Sequence, residues 1–548
     1  MENGRINFNN LDISKNHWGM AIAEKVIERF PDEEIYTCAA GISPSGVVHF
    51  GNFRDVMTCV GVYFGLKKLG KNVRIIFSWD NYDRFRKVPV GIPEKFEKYI
   101  GMPYTAVPSP VEDGAASYAE HFQKVFEASM KELGIEMEFK DQTEKYTKGE
   151  YAESIVDLMK KRKEIARVLL SYMSDKAKSE KGIDEAEYIE NYYPIGVYSS
   201  FNGTDITEII NYDEDAKITY RCKKTGKEEE IDLRKDFQYK LQWKVDWPMR
   251  WNYEQVHFEP GGADHASPGG SYDTSAEISE MIIGKKAPVF AGYQFIGIQG
   301  MPGKMSGSKG QAISPAMLLE IYQAELLKWL YLRKSPNQRF DLAFDSEIIR
   351  QYDEFDREIK NHLDSNLEGF RRSALEMSFN QEKVESNNPI PFRQAVALGQ
   401  IVQWNNDKVI EISNKLGQNF DEKSIEIRLK KAQAWLEKYN SIEVIKLLES
   451  PNFEYWNNMD EKSQNYVKLL VKSLNEKPDI DVKELELLVY GIPKNPELDP
   501  KENAPFQKAF FKDVYNLLLA KDRGPRLSTF IWALGKDKVT ELLTFNQN

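Results

Sequence analysis

The chain has 548 residues, 41% hydrophobic and 29% charged, with a formal net charge of −11. That length exceeds one compact core and predicts three or four domains, and the composition is ordinary for a soluble globular protein. No stretch approaches the roughly 18 to 20 apolar residues of a membrane span, the N-terminus has no signal-peptide pattern, and three scattered cysteines, Cys38, Cys59 and Cys222, exclude a disulfide framework and fit a reducing cytoplasm.

In chain order, EEIYTCAAGI (residues 33–42) is an apolar run ending in glycine and predicts a buried strand. A Ser-, Pro- and Gly-rich loop leads to NFRDVMTCVGVYFGLKKLG (52–70), whose apolar spacing predicts a helix with Asn52 as N-cap and Gly70 as stop. VRIIFSWD (73–80) is a second strand and completes a βαβ unit of a parallel sheet. From about 102 to 244 the pattern is mixed and reads as an insertion. It holds an amphipathic helix over 117–133, a long basic helix after Tyr151, and strands KITYRC (217–222) and EEEIDL (228–233) joined by the turn KKTGK. The α/β pattern resumes with EQVHFEPGGADH (254–265), a helix near 274–283 and the strand APVFAGYQFIGI (287–298). After Gly310 the chain is almost wholly helical, with breaks at SNNPIPF (386–392) and IPKNPELDPKENAPF (492–506). The negative charge argues mildly against nucleic-acid binding, but basic residues cluster at 158–182 and 517–538, where a solvated helix face is the plainer explanation.

Three loops carry candidate chemistry. SPSGVVHFGN (43–52) lies between a strand end and a helix start, where ligands bind in open α/β sheets and a helix N-terminus offers N–H groups to anions. Ser45, Gly46 and Gly51 bring backbone close to phosphate, His49 can donate to a phosphate oxygen, and Asn52 can reach ribose or phosphate. An ordinary βα loop with a structural histidine has the same composition. In MPGKMSGSKGQAISP (301–315), Lys304, Met305, Ser306, Ser308 and Lys309 form a cationic loop able to close over a triphosphate. Donors directed at the charge on departing pyrophosphate are worth about 10²–10³ each in rate; a surface linker is the alternative. In FEPGGADHASPGGSYDTS (258–275), Gly261 and Gly262 allow close approach to a base or ribose, Asp264 can accept from ribose hydroxyls, and His265 is a polar group at the pocket floor.

The order of these loops resembles the class I aminoacyl-tRNA synthetases, whose signature motifs are HIGH and KMSKS. More narrowly, GISPSGVVHFGNFRD, SWDNYDRFRKVP, KVDWPMRW, DHASPGGSYDT, KMSGSKG and KDRGPRLSTFIWALGKD are similar to the class I lysyl-tRNA synthetases, from about residue 35 to the end. Asn52 replaces the last histidine of HIGH, and Gly307 stands at the second lysine of KMSKS. Many relatives carry paired cysteines in the insertion, whereas here only Cys222 remains. One cysteine cannot build a four-ligand site, so no structural zinc is expected and the hairpins should pack around aromatic residues.

The resemblance implies an α/β fold: a Rossmann-type parallel sheet with a mixed α/β insertion and an all-α C-terminal anticodon-binding region. The expected divisions are 1–101 and 245–300 for the two catalytic halves, 102–244 for the insertion (degenerate and zinc-ribbon-like near 192–235), 301–385 for the KMSKS loop and stem-contact helices, and 386–548 for anticodon binding. It implies that L-lysine attacks the α-phosphate of ATP, taken with Mg2+, and that the lysyl group passes to the terminal 2′-hydroxyl of tRNA(Lys). His49, Asn52, Lys304, Ser306, Ser308 and Lys309 would serve the phosphates, and Gly261, Gly262 and Asp264 the adenosine. Gly41 and Ser43 would hold the α-amino group, and Asp80, Trp243, His265, Tyr272 and Tyr293 the side chain. Trp243 and Tyr293 suit a core equally, and Asp80 and Asp83 suit structural pairs with Arg84 or Arg86. Arg523, Arg526, Phe530 and Trp532 are candidates for the anticodon, although helix packing accounts for the aromatics. A cytoplasmic monomer that binds tRNA before activating lysine is expected. Competing readings are a synthetase for another amino acid such as glutamate or arginine, a catalytically altered paralogue that binds tRNA or a charged ligand in regulation, and a small-molecule nucleotidyltransferase.

Overall fold

The computed structural model describes residues 4–13, 16–180, 182–300, 313–380, 383–384, 388–441 and 444–545. It forms two units, Met1–Ala343 with Glu358–Val384, and Phe344–Arg357 with Glu385–Asn548.

The first unit is built on β1 (Tyr36–Ile42), β2 (Val73–Trp79) and β3 (Glu138–Asp141), with α1 (Trp18–Arg29), α2 (Phe50–Lys68) and α3 (Tyr118–Glu132). The insertion holds β4 (Ile195–Val197), β5 (Thr207–Tyr212), β6 (Lys217–Cys222), β7 (Glu228–Asp232) and β8 (Tyr239–Leu241). Then follow β9 (Phe258–Gly262), β10 (Val289–Tyr293), and the small pair β11 (Gly297–Gln299) and β12 (Asp341–Ala343). The main sheet runs β10-β9-β1-β2-β3 with every pair parallel. Tyr36 to Ala40 are all buried, the continuous burial of a parallel strand covered on both faces. Chain order therefore reverses between β1 and β9, which makes their carboxyl ends the switch point where such sheets bind ligands. β1 and β9 are in register only at Cys38 and Phe258, so a crevice opens between their ends.

α2 packs on α1 through glycines. A Cβ on Gly61 would sit 2.1 Å from the Trp18 ring, and one on Gly19 2.2 Å from the Gly61 carbonyl. α2 begins at Phe50 with His49 as N-cap, three residues before the cap expected from sequence, and closes at Gly70 with φ +74°. The helix over 117–133 is present as α3, capped by Ser117 on the Glu120 N–H. The long basic helix expected after Tyr151 is instead four short ones, Ala152–Lys160, Arg162–Ser171, Asp175–Glu180 and Glu185–Asn191. The chain doubles back so that buried Arg162 can donate to the carbonyls of Glu190 (2.5 Å) and Tyr192 (3.2 Å). β5, β6 and β7 form an antiparallel meander whose core includes Tyr212, Ile218, Tyr220, Leu233 and Tyr239. Cys222 is buried and takes a hydrogen bond from the Asn202 amide at 3.2 Å. Among the described residues no cluster of three or more His, Cys, Asp or Glu is arranged to hold a metal ion.

The second unit is helical, including Phe392–Ile401, Glu422–Tyr439, Glu461–Glu476, Val482–Gly491, Pro500–Leu519 and Leu527–Leu534. The break expected over 492–506 is only half loop. Pro500 sits at the first helical position, where it loses no hydrogen bond, behind an Asp499–Glu502 capping box. Among the described residues no helix is long and apolar enough to cross a membrane.

Candidate active site

A cleft of about 1330 Å3 opens at the carboxyl ends of β1, β2, β9 and β10. Gly41, Ser43, Ser45, Gly46, His49 and Asn52 line one side, and Gly261, Gly262, Asp264, His265 and Tyr293 another. Asp80 and Trp243 also face it. Loops far apart in sequence therefore converge, because parallel strands deliver all their carboxyl ends to one edge.

His49 does two jobs at the start of α2. Its Nδ1 accepts the Gly51 N–H at 3.0 Å, and its own N–H donates to Asn52 Oδ1 at 3.4 Å. Burial lowers the imidazole pKa. The neutral ring with Nδ1 accepting must carry its proton on Nε2, which leaves a neutral donor. The same cap uses up the helix N–H groups expected to serve an anion: Phe50 N–H donates to Ile313 O at 2.8 Å, and those of Asn52 and Phe53 to His49 O. Phosphate contacts here must come from side chains and the loop, not from the first turn of α2. Gly51 does not line the cleft; a Cβ there would lie 2.8 Å from the His49 ring, so glycine is required by the cap and not by close approach to phosphate.

Below this loop lies a buried ion cluster. The Arg250 guanidinium is 2.6 Å from Asp80 and 3.5 Å from Asp246. Lys240 reaches Asp83 at 3.0 Å and Asp246 at 3.1 Å, Ser43 donates to Asp83 at 2.5 Å, and Tyr146 donates to Asp246 at 2.5 Å. Burial drives the Asp80 carboxyl up against the pull of Arg250. Burial acts on Asp83 as well, but Lys240 and the Ser43 hydroxyl outweigh it and hold that carboxylate below its usual value. Asp80 is thus internally neutralised, and by Arg250, not by Arg84 or Arg86. Three carboxylates against two cations leave one negative charge beside Ser43.

At the floor, two carboxyls that sequence reasoning missed face the cleft: Asp55 from α2 and Glu259 from β9. Burial, then the charge of Glu259, pushes Asp55 well above its usual range, against the Gly41 N–H and Tyr293 hydroxyl that face it. Burial pushes Glu259 to about 7, although Trp251 Nε1 donates to it at 2.6 Å. Asp55 lies one residue past FR in a run that reads as a helix interior, and Glu259 sits mid-strand; only an acid at a position otherwise predicted buried marks either of them.

The aromatic candidates divide. Trp243 stacks on Trp247 with centroids 5.0 Å apart and carries the Arg250 guanidinium 5.3 Å above its ring. Among the described residues its Nε1 and His265 Nδ1 are buried without a hydrogen-bond partner, and His265 lies 6.1 Å from Trp243. Tyr272 does not reach the cleft. It is fully buried, stacked on Phe290 at 4.1 Å, with its hydroxyl on Pro288 O. Lys304, Met305, Ser306, Ser308 and Lys309 lie outside the described residues. In the helical unit Phe530 is a core residue at 1% exposure, Trp532 packs partly buried against the same core under Lys415, Arg526 pairs with Glu486, and Arg523 is exposed.

The family model for class I (K) tRNA synthetases matches residues 16–382. The lysine–tRNA ligase of Streptomyces coelicolor is 36% identical, over 96% of this chain and 98% of that protein. The enzyme of the same name from Pyrococcus furiosus is also 36% identical, over 96% and 99%, and that from Treponema pallidum 31%, over 96% and 98%. Among solved structures, a glutamate tRNA ligase from Elizabethkingia meningosepticum aligns over 93% of this chain and 98% of that one at 10% identity, with a TM-score of 0.45. With a switch-point crevice lined by the HFGN loop, a family model matching residues 16–382, and relatives 36% identical over 96% of its length, the chain belongs to the class I (K) tRNA synthetase family.

Proposed function

We infer that the chain is a lysine–tRNA ligase, which activates L-lysine with ATP and transfers it to the terminal adenosine of tRNA(Lys). The observation that carries the choice of amino acid is chemical. A crevice of this fold ends on two buried carboxyls, Asp55 and Glu259, placed to receive a cation.

In this reading the α-ammonium lies by Gly41 and Ser43, where the ion cluster around Asp83 has one unbalanced negative charge to offer. The side chain passes between Trp243, His265 and Tyr293, and its ε-ammonium meets Asp55 and Glu259. Burying an ammonium without a counter-charge is prohibitive, so a floor of two ionisable carboxyls selects lysine over neutral side chains. Gly261, Gly262 and Asp264 take the adenosine. His49 Nε2–H and the Asn52 amide donate to phosphate oxygens, and Ser45 and Gly46 border them. Lys304, Ser306, Ser308 and Lys309 close over the departing pyrophosphate. Mg2+ enters with ATP as substrate. Positioning and charge stabilisation account for the rate, since the protein forms no covalent bond. The helical second unit reads the anticodon.

The test is to charge total tRNA with each of the twenty amino acids. Lysine alone should be incorporated; incorporation of another amino acid, or of none, overturns the reading. Pyrophosphate exchange with lysine should appear only when tRNA is added.

A further inference from the structure

One wall of the cleft carries three cations, Arg84, Arg86 and Lys87, that the activation chemistry does not use. Residues 83 to 85 are extended and strapped to 101–104: Phe85 N–H donates to Met102 O at 2.7 Å, Gly101 N–H to Phe85 O at 2.9 Å, and Tyr104 N–H to Asp83 O at 3.0 Å. Alternation along an extended chain then sorts the side chains. Phe85 is fully buried in a core with Phe96, Tyr104 and Tyr118, while Arg84 and Arg86, followed by Lys87, line the cleft. Arg84 is fixed by Asp205 of the insertion at 3.4 Å, and Asp205 is itself tied to the strap through its N–H on Gly101 O at 2.9 Å. Arg86 and Lys87 are exposed and make no ion pair among the described residues. The acids lining this wall are engaged already, Asp205 with Arg84 and Asp83 with Lys240 at 3.0 Å. Val90 and Val111, 64% and 54% exposed, border the same wall.

In a chain of net charge −11, a hydrogen-bonded strap presenting cations that have no ion pair among the described residues is a ready anion rail along a cleft. It starts one residue after Asp83, which holds Ser43. We propose that Arg86 and Lys87, on the strap anchored by Arg84, hold the phosphates of the unpaired 3′ nucleotides of tRNA and lead the terminal ribose to the activated amino acid. The proposal rests on the tRNA-charging reading above. Phosphate is the class of ligand because two unpaired cations beside exposed apolar side chains suit a single-stranded backbone whose sugars and bases lie against the wall. On the functional reading above the ATP phosphates have their own donors, His49 and Asn52, which line the same cleft.

The experiment compares wild type with the double variant Arg86→Ala, Lys87→Ala in the full chain. It measures dissociation constants for intact tRNA(Lys), for the same tRNA stripped of its unpaired 3′ nucleotides, and for ATP, between 50 and 200 mM salt. Intact tRNA should bind the variant at least tenfold more weakly, with the salt slope reduced by about 1.4, two single-strand phosphate contacts. Stripped tRNA should bind both proteins alike, and ATP affinity should not change. Unchanged binding of intact tRNA, equal weakening for stripped tRNA, or a loss confined to ATP would each overturn the proposal. Binding needs no turnover, so it is read separately from charging. A wild type that charges lysine while the variant keeps its affinity sinks only the rail, and a wild type that charges nothing sinks the functional reading while the binding comparison still decides the rail. Arg86→Lys should restore most of the affinity, which a folding defect would not.

Discussion

Glu259 is costly where it stands. Its pKa rises from 4.5 unfolded to about 7 in the fold, chiefly through burial. A carboxyl with a raised folded pKa adds no penalty below the unfolded value and its full penalty above the folded one. Glu259→Gln, which keeps an acceptor for Trp251, should therefore leave stability unchanged at pH 4 and raise it by about 3 kcal/mol at pH 8. Chemical denaturation at the two values checks this. The same variant should lose lysine activation, a stability cost retained for function. An ammonium favours the ionised carboxyls, so protonation competes with lysine: KM for lysine should climb by up to about tenfold per unit as pH falls below 7, while KM for ATP stays level. Asp55→Asn should raise KM for lysine at pH 7.5 by 10² or more; an unchanged value would remove Asp55 from the pocket.

At the scale of an element, α2 offers a test of whether one residue, His49, serves the helix and the chemistry together. His49→Asn keeps a short side chain able to cap and removes the Nε2–H donor, so kcat should drop about 10²–10³ with little change in Tm. His49→Ala should add a loss of about 1 kcal/mol in stability. Gly51→Ala is the sharper test. Alanine improves helix propensity by about 1 kcal/mol, yet its Cβ would strike the His49 ring at 2.8 Å. Activity should fall with the displaced imidazole even though α2 is intrinsically favoured; retained kcat would show that the ring need not sit where the cap holds it.

At the scale of the whole molecule, substitutions in the second unit should separate packing from tRNA binding. Phe530 packs with Leu527 and Ile531 in the core of the second unit, so Phe530→Ala should cost about 3–5 kcal/mol of stability and impair charging only through folding. Arg523, exposed in the same segment, should behave the opposite way: Arg523→Ala should weaken tRNA binding with its salt dependence and leave Tm unaltered. A Tm loss for Arg523→Ala, or normal stability for Phe530→Ala, would reverse that assignment.

Hydrophobic periodicity and turn chemistry are local, and what depends on them was legible in the residues. β1, β2, α3 and the β6–β7 hairpin stand where apolar spacing and glycine predicted them, and the HFGN and FEPGGADH loops share one cleft because parallel strands leave no other edge for them. Pairings between distant positions were not legible. Asp80 chose Arg250, 170 residues away, over the arginines beside it in sequence. Tyr272 turned from the pocket to stack on Phe290. Asp55 and Glu259, one in a helix and one in a strand, became neighbours only when α2 packed on the sheet. Burial and electrostatics act through space, so the chain could declare a nucleotide-binding sheet and its loops, while the carboxyl floor, the internal ion cluster and the cationic strap were decided by how its distant segments closed upon one another.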